Sequence, residues 1–213
     1  MKTGQIPFYK GSQFAKRGTV ATPYEQGFED LKVFITAHDV RILTRTMDVE
    51  KPGEFDGPTI TINPVHDFEA RCYYLAHSFG SICQWSVDPE HARSVFEELR
   101  QAKRAGRTGQ TFDRAIAAWR HFEQTSSDHA VWTLDEIGHS GAIPSYTVFF
   151  RADIEAMTVF HKTGKEPPWP EFLADWKRRA ASGEVELKPF RPKPVPRFRP
   201  VRIETQEVLQ ERD

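Results

Sequence analysis

The chain has few cysteines, which bears on both its stability and its location. Only two of its 213 residues are cysteine. Cys72 and Cys83 are too far apart along what reads as one helix to bridge each other, so a disulfide framework is excluded. A chain without structural disulfides is typical of a reducing compartment, and we expect a cytoplasmic protein.

Long hydrophobic runs are also missing. The longest apolar runs are about five residues, as at 146–150, whereas a membrane-spanning helix needs about 20. Residues 1–18 contain no apolar segment of the kind that a secretory signal carries. We therefore expect no signal peptide and no membrane partner. With 38% apolar residues, among them 16 Phe and 5 Trp, the chain can still bury a core.

The net charge of −1 hides an uneven distribution. Residues 188–202 carry six basic side chains, five prolines and no acid, so their charge is +6, while 203–213 carry −3 and 1–187 carry −4. The prolines forbid a helix and favour an extended path. We expect this segment to lie on an acidic surface of the body with Phe190 or Phe198 buried, and a homodimer formed through the tail is an alternative.

The periodicity of the remaining chain predicts helices with a small sheet among them. A helix is expected over 22–37, followed by strands over 40–47 and 58–63 that form a hairpin or lie side by side. Only helices follow, with bounds of about 67–84, 88–104, 111–138, 151–163 and 170–182. This order predicts a mostly helical α+β fold with one small β-sheet. The expected organisation is an irregular arm (1–21), one domain (22–187) and an extended Pro/Arg-rich tail (188–213).

One stretch carries a family resemblance. Residues 59–85 read TITINPVHDFEARCYYLAHSFGSICQW, which is a strand, a short gap and a helix. This arrangement resembles the ImmA/IrrE-type zinc metallopeptidases, whose helix reads roughly Arg-x-x-x-Leu-Ala-His-Glu-x-x-His. Arg71, Leu75, Ala76 and His77 match that pattern. The resemblance implies a zincin-like fold for the domain.

The chain departs from the family pattern at the two positions that matter most for catalysis. Ser78 stands where the family has its general-base Glu, and Ser81 stands where it has the second zinc-binding His. A serine hydroxyl is neither a base near neutral pH nor a substitute for an imidazole ligand. The resemblance also implies a third ligand, a Glu from a later helix; the region 123–132 could supply it, but no residue is assigned.

These observations predict a catalytically degenerate domain that acts through binding or regulation, without a metal or another cofactor. Tyr73, His77, Ser78 and Ser81 share a small, polar helix face that either lines a binding cleft or packs against another helix. One alternative is a metal-dependent peptidase or hydrolase with a rebuilt zinc site that uses His77. A second is a nucleic-acid-associated regulator that uses the basic tail. Otherwise the expected partner is a protein of unknown identity.

Motifs for other chemistries are missing. The sequence contains no Gly-x-Gly-x-x-Gly, no P-loop and no Gly-x-Ser-x-Gly elbow, and neither cysteine has the flanks of a catalytic thiol. Nucleophilic catalysis therefore has no support in the sequence.

Overall fold

The computed structural model describes residues 22–47, 52–165 and 167–203. Within these ranges the chain is mostly helical with one small sheet, so the predicted α+β architecture is confirmed at that level. The predicted arm 1–21 lies outside the described residues, as does 204–213. No helix in the described ranges is both long and apolar enough to cross a bilayer.

Six α-helices and three strands follow one another along the described chain. In chain order they are α1 (Pro23–Thr36), β1 (Arg41–Thr44), β2 (Gly53–Phe55), β3 (Thr59–Ile62), α2 (Phe68–Val87), α3 (Pro89–Arg104), α4 (Gly109–Glu136), a short 3-10 turn (Ser140–Ala142), α5 (Ile143–Thr163) and α6 (Trp169–Ser182).

Three of the helices begin at caps that the sequence displays. Thr22 accepts a hydrogen bond from the Glu25 amide, and a proline opens the first turn of α1. Asp67 caps α2 in the same way through the amide of Ala70, and Asp88 caps α3. These side chains satisfy amides that a helix start leaves without partners, which is why the three starts were predictable.

The sheet has the order β1-β3-β2. β1 runs parallel to β3, with Arg41 opposite Thr59, and β2 runs antiparallel to β3, with Gly53 opposite Ile62. All four residues of the central strand β3 are buried. The prediction that the segments 40–47 and 58–63 form neighbouring strands is confirmed. The hairpin alternative is wrong, because β1 and β3 are parallel and a hairpin joins antiparallel strands.

Two predicted element bounds need correction. The segment between the predicted strands reads as turn-rich because glycine, proline and acids favour turns, yet three of its residues form β2 against the free edge of β3. Helix α5 begins at Ile143 instead of near residue 151. Pro144 occupies its first turn, and the aromatic run that follows belongs to the buried part of this helix.

Helix α2 lies at the centre of the packing. Leu75, Phe79 and Ile82, which recur at helical spacing along one of its faces, are fully buried. On its other side α2 packs against α4, and a Cβ placed on Gly80 would overlap the carbonyl oxygen of Ser126. Two helices can approach this closely only where a small residue removes the intervening side chain.

Residues 188–203, hereafter the strap, cross this helical body without helix or strand of their own. Phe190 is buried to 2% exposure beside Tyr146, so the expected burial of one of the two phenylalanines is confirmed. Phe198 stacks on His38 and contacts Phe79 of α2.

Candidate functional site

His77 occupies a pocket formed by three helices. Its Nε2 lies 2.9 Å from Oε2 of Glu123 on α4, and its ring stacks on Phe150 of α5 at a centroid distance of 4.0 Å. The residue is 8% exposed, and the Glu123 side chain is 18% exposed. Both side chains therefore lie just beneath the surface, and little of either is exposed to solvent.

Two hydroxyls approach the other ring nitrogen. Nδ1 of His77 lies 3.3 Å from the Ser127 Oγ and 3.4 Å from the Tyr146 hydroxyl. Because an ionised carboxylate can only accept, the Nε2 atom carries the proton that is donated to Glu123. In the neutral ring Nδ1 is then an acceptor, and a hydroxyl of Ser127 or Tyr146 donates to it. Both ring nitrogens are thus satisfied.

A second carboxyl group adds to the electrostatics of this pocket. The pKa of Asp153 on α5 is raised to about 6, chiefly by burial. The charge of His77 opposes this increase, the charge of Glu123 adds to it, and a hydrogen bond from the Trp169 indole opposes it. The indole Nε1 donates to Asp153 Oδ1 at 3.1 Å. The charges of His77 and Glu123 therefore act on the protonation of Asp153.

The remaining predicted site residues lie in packed interfaces. Ser81 is 3% exposed and donates to the Ser126 Oγ of α4 at 3.1 Å, and Ser78 is fully buried. The Tyr73 hydroxyl is hydrogen-bonded to Ser145. Of the two arrangements that the sequence left open for this helix face, close packing describes Ser81 and Tyr73, and only His77 approaches the surface.

The donors around His77 do not fit the zinc ion that the family resemblance implies. A catalytic zinc needs three protein ligands and a water molecule. Here the second ligand position holds a serine engaged with Ser126, and the Nε2 of His77 faces Glu123 at hydrogen-bond distance. Over the described ranges of the chain, no group of three His, Cys, Asp or Glu side chains is placed to hold a metal ion.

Ser127, His77 and Glu123 also have the composition of a nucleophilic triad. The hydroxyl, imidazole and carboxylate follow one another at 3.3 and 2.9 Å. Ser127, however, has no exposed surface, and neither does Tyr146 beside it. A substrate carbonyl cannot reach a fully buried Oγ, so this geometry is a hydrogen-bond network that connects α2, α4 and α5.

Sequence reasoning found His77 but did not assign its partners. Glu123 lies at the start of the region considered for a third ligand, 46 positions away from His77 in the chain. Asp153, Ser127 and Phe150 carried no motif, and no local spacing could have revealed them. Their assembly depends on how α4 and α5 pack on α2, which is a property of the tertiary fold.

No family model, curated protein or solved structure matches the chain.

Proposed function

We propose that this chain is a zincin-like domain of ImmA/IrrE type that has lost its metal chemistry and acts through binding. The observation that carries the proposal is the contact between His77 and Glu123, which come from two separate helices. In the family resembled, a His on the motif helix and a Glu from a later helix meet at the zinc ion. The same two residue types meet here in direct hydrogen-bond contact.

The replacements on the motif helix are consistent with a site that now serves packing. Ser81 and Gly80 belong to the close contact between α2 and α4, where an imidazole at position 81 would have to displace Ser126. Ser78 is buried and cannot take a proton from water. The hydrogen bonds of His77 and Ser81 hold α2 against α4. Because these residues serve packing instead of catalysis, we infer that the domain acts by binding a partner at its surface.

Metal content and hydrolysis test this proposal. Protein purified without chelator and dialysed against buffered zinc should contain far less than one zinc ion per chain by mass spectrometry, and peptide hydrolysis should stay at background. His77→Ala and Glu123→Gln should not change the metal content, and neither should His121→Ala, an exposed histidine on α4 that serves as the control.

The contrary outcome is specific. Zinc near one ion per chain that is lost in His77→Ala and Glu123→Gln, but retained in His121→Ala, would show a working metal site and favour the hydrolase alternative. The thermal midpoint of each variant is measured in parallel, so that loss of metal through unfolding is recognised.

A further inference from the structure

The strap displays its charged side chains in an unusual way. All six of its basic residues are exposed, while three apolar residues among them turn inward. Phe190 and Ile203 are buried at 2% and 1% exposure, and the half-buried Phe198 contacts His38 and Phe79 of α2. The basic residues are Lys188, Arg191, Lys193, Arg197, Arg199 and Arg202.

The attachment of the strap uses backbone groups. Asp128 on α4 accepts the amide of Arg191 through its carboxylate at 2.9 Å and the amide of Lys193 through its carbonyl oxygen at 3.0 Å. Further along, the amide of Val201 donates to Ser86 Oγ, and the amide of Ile203 donates to the Asp56 carbonyl at 2.8 Å. The basic side chains are therefore not consumed in holding the strap.

Ion pairs do not neutralise most of this charge. Within the described part of the chain, the side chains of Lys188, Arg191, Lys193, Arg199 and Arg202 form no salt bridge. Arg197 has an interaction of its own, so its charge is not counted with theirs. Five cations thus stand on a segment whose backbone is fixed, so their placement costs less entropy on binding than a free tail would.

We propose that the strap is a binding surface for the phosphodiester backbone of nucleic acid. An extended path from Arg191 to Arg202 spans on the order of 35 Å, and duplex DNA presents about one phosphate per 1.7 Å of its axis, so the spacing of the phosphates does not limit how many cations bind. Arginine, which supplies most of the charges, matches phosphate with two parallel N–H donors. The contacts are to the backbone, so the binding is independent of base sequence.

The inward orientation of the apolar residues argues against a lipid surface as the partner. Peripheral membrane segments insert apolar side chains beside their basic ones. Here the aromatic rings of Phe190 and Phe198 are engaged with Tyr146 and His38 instead. Binding that is mainly electrostatic, with no apolar anchor, fits a polyphosphate chain better than a bilayer.

The test measures binding of the full chain to a fluorescent 24-base-pair duplex by anisotropy, from 50 to 200 mM NaCl. The wild-type protein should bind, with log K falling against log salt at a slope of about −4 to −5. The quadruple variant Arg191→Gln, Lys193→Gln, Arg199→Gln and Arg202→Gln should bind at least about 100-fold more weakly at 50 mM NaCl. Its slope should be shallower by about 3 to 4.

A second quadruple variant is the matched control. Arg104→Gln, Arg114→Gln, Lys162→Gln and Lys165→Gln remove the same formal charge from exposed positions away from the strap. This control should keep the wild-type affinity and slope. Thermal midpoints within a few degrees of the wild type confirm that both variants are folded, as expected for exposed side chains without ion pairs.

Three results would overturn the proposal. The first is no binding of the wild-type protein at 50 mM NaCl. The second is an equal loss of affinity in the two quadruple variants, which would assign binding to net charge alone. The third is strap-dependent binding to phosphatidylserine vesicles without binding to the duplex, which would assign the surface to a membrane.

Discussion

The α2–α4 interface and the strap hold α2 in different ways. The α2–α4 interface brings backbones together through small residues, with Gly80 against Ser126 and Ser81 bonded to the Ser126 hydroxyl. The strap instead spans α4, α2 and the sheet with a few large anchors, Phe190 among them, and backbone hydrogen bonds. The α2–α4 interface has no room for added atoms, whereas the strap is held only at a few anchors along an extended chain. Substitutions in the two contacts should therefore destabilise the protein in different ways.

Gly80→Ala should be the most destabilising of these substitutions, because it forces apart the α2–α4 interface. A Cβ there meets the Ser126 carbonyl, a backbone atom that cannot rotate away, so α2 and α4 must separate. We expect Gly80→Ala to lower the free energy of unfolding by about 3 kcal/mol or more, at the upper end of overpacking effects. Urea denaturation followed by tryptophan fluorescence measures this loss.

Gly141→Ala is the control for this substitution. A Cβ added at Gly141 would meet no neighbouring atom within 4 Å, and the backbone there is not left-handed. Alanine at this position should therefore change stability by less than about 0.5 kcal/mol. Equal effects at the two positions would show that α2 and α4 do not pack as closely as the Gly80–Ser126 contact requires.

The strap should respond to Gly57, in the turn between β2 and β3. A Cβ at Gly57 would overlap the carbonyl oxygen of Val201, and its backbone φ of +93° already disfavours alanine. Gly138 has a similar φ of +84° with open space around it, so Gly138→Ala carries the backbone strain alone. We expect Gly57→Ala to cost about 2 kcal/mol and Gly138→Ala about 1 kcal/mol.

Hydrogen exchange should show where Gly57→Ala disturbs the structure. In Gly57→Ala the end of the strap should be displaced, so the amides of Val201 and Ile203 should exchange their hydrogens faster, while those of the α2–α4 interface keep their protection. Unchanged exchange at Val201 and Ile203 would contradict the packing of the strap against this turn.

For both contacts the sequence predicts one of the two surfaces but not its partner. Helix α2 was predictable because Asp67 caps it and its apolar residues recur every third or fourth position. Burial of a strap phenylalanine was predictable because a proline-rich segment has no internal hydrogen bonds, so it is either solvated or packed on another surface through its apolar side chains. The partners were not predictable in either case. Ser126 lies 45 positions from Ser81, and nothing local specifies which helix a small, polar face will meet.

The candidate site shows the same limit. His77 was identified because the Leu-Ala-His pattern is local, whereas Glu123 and Asp153 join it only through the packing of α4 and α5. Strand β2 was missed for a related reason. Gly53 and Glu54 have low β propensity, and they pair because the edge of β3 is available to them.

A smaller effect than those of Gly80→Ala and Gly57→Ala is expected from pH, through Asp153 on α5. Asp153 has a folded-state pKa of about 6, above its value of 3.8 in the unfolded chain, so the folded state holds the proton more tightly. Its contribution to stability is fully present below pH 3.8 and is lost as the pH rises through 6. Asp153→Asn removes this titration and keeps an oxygen that can accept from the Trp169 indole.

We therefore expect the free energy of unfolding of the wild-type protein, relative to that of Asp153→Asn, to fall by about 1 to 1.5 kcal/mol between pH 5 and pH 7. The other ionisable residues are present in both proteins, so the difference reports Asp153 together with its interaction with His77 and Glu123. Urea denaturation at half-unit pH intervals measures it. Parallel stability curves for the two proteins would mean that Asp153 is ionised in the fold at pH 5, and that burial beside Glu123 does not hold its proton. The strap has no described carboxyl group, so its exchange rates should show no matching transition once they are corrected for the intrinsic pH dependence of exchange.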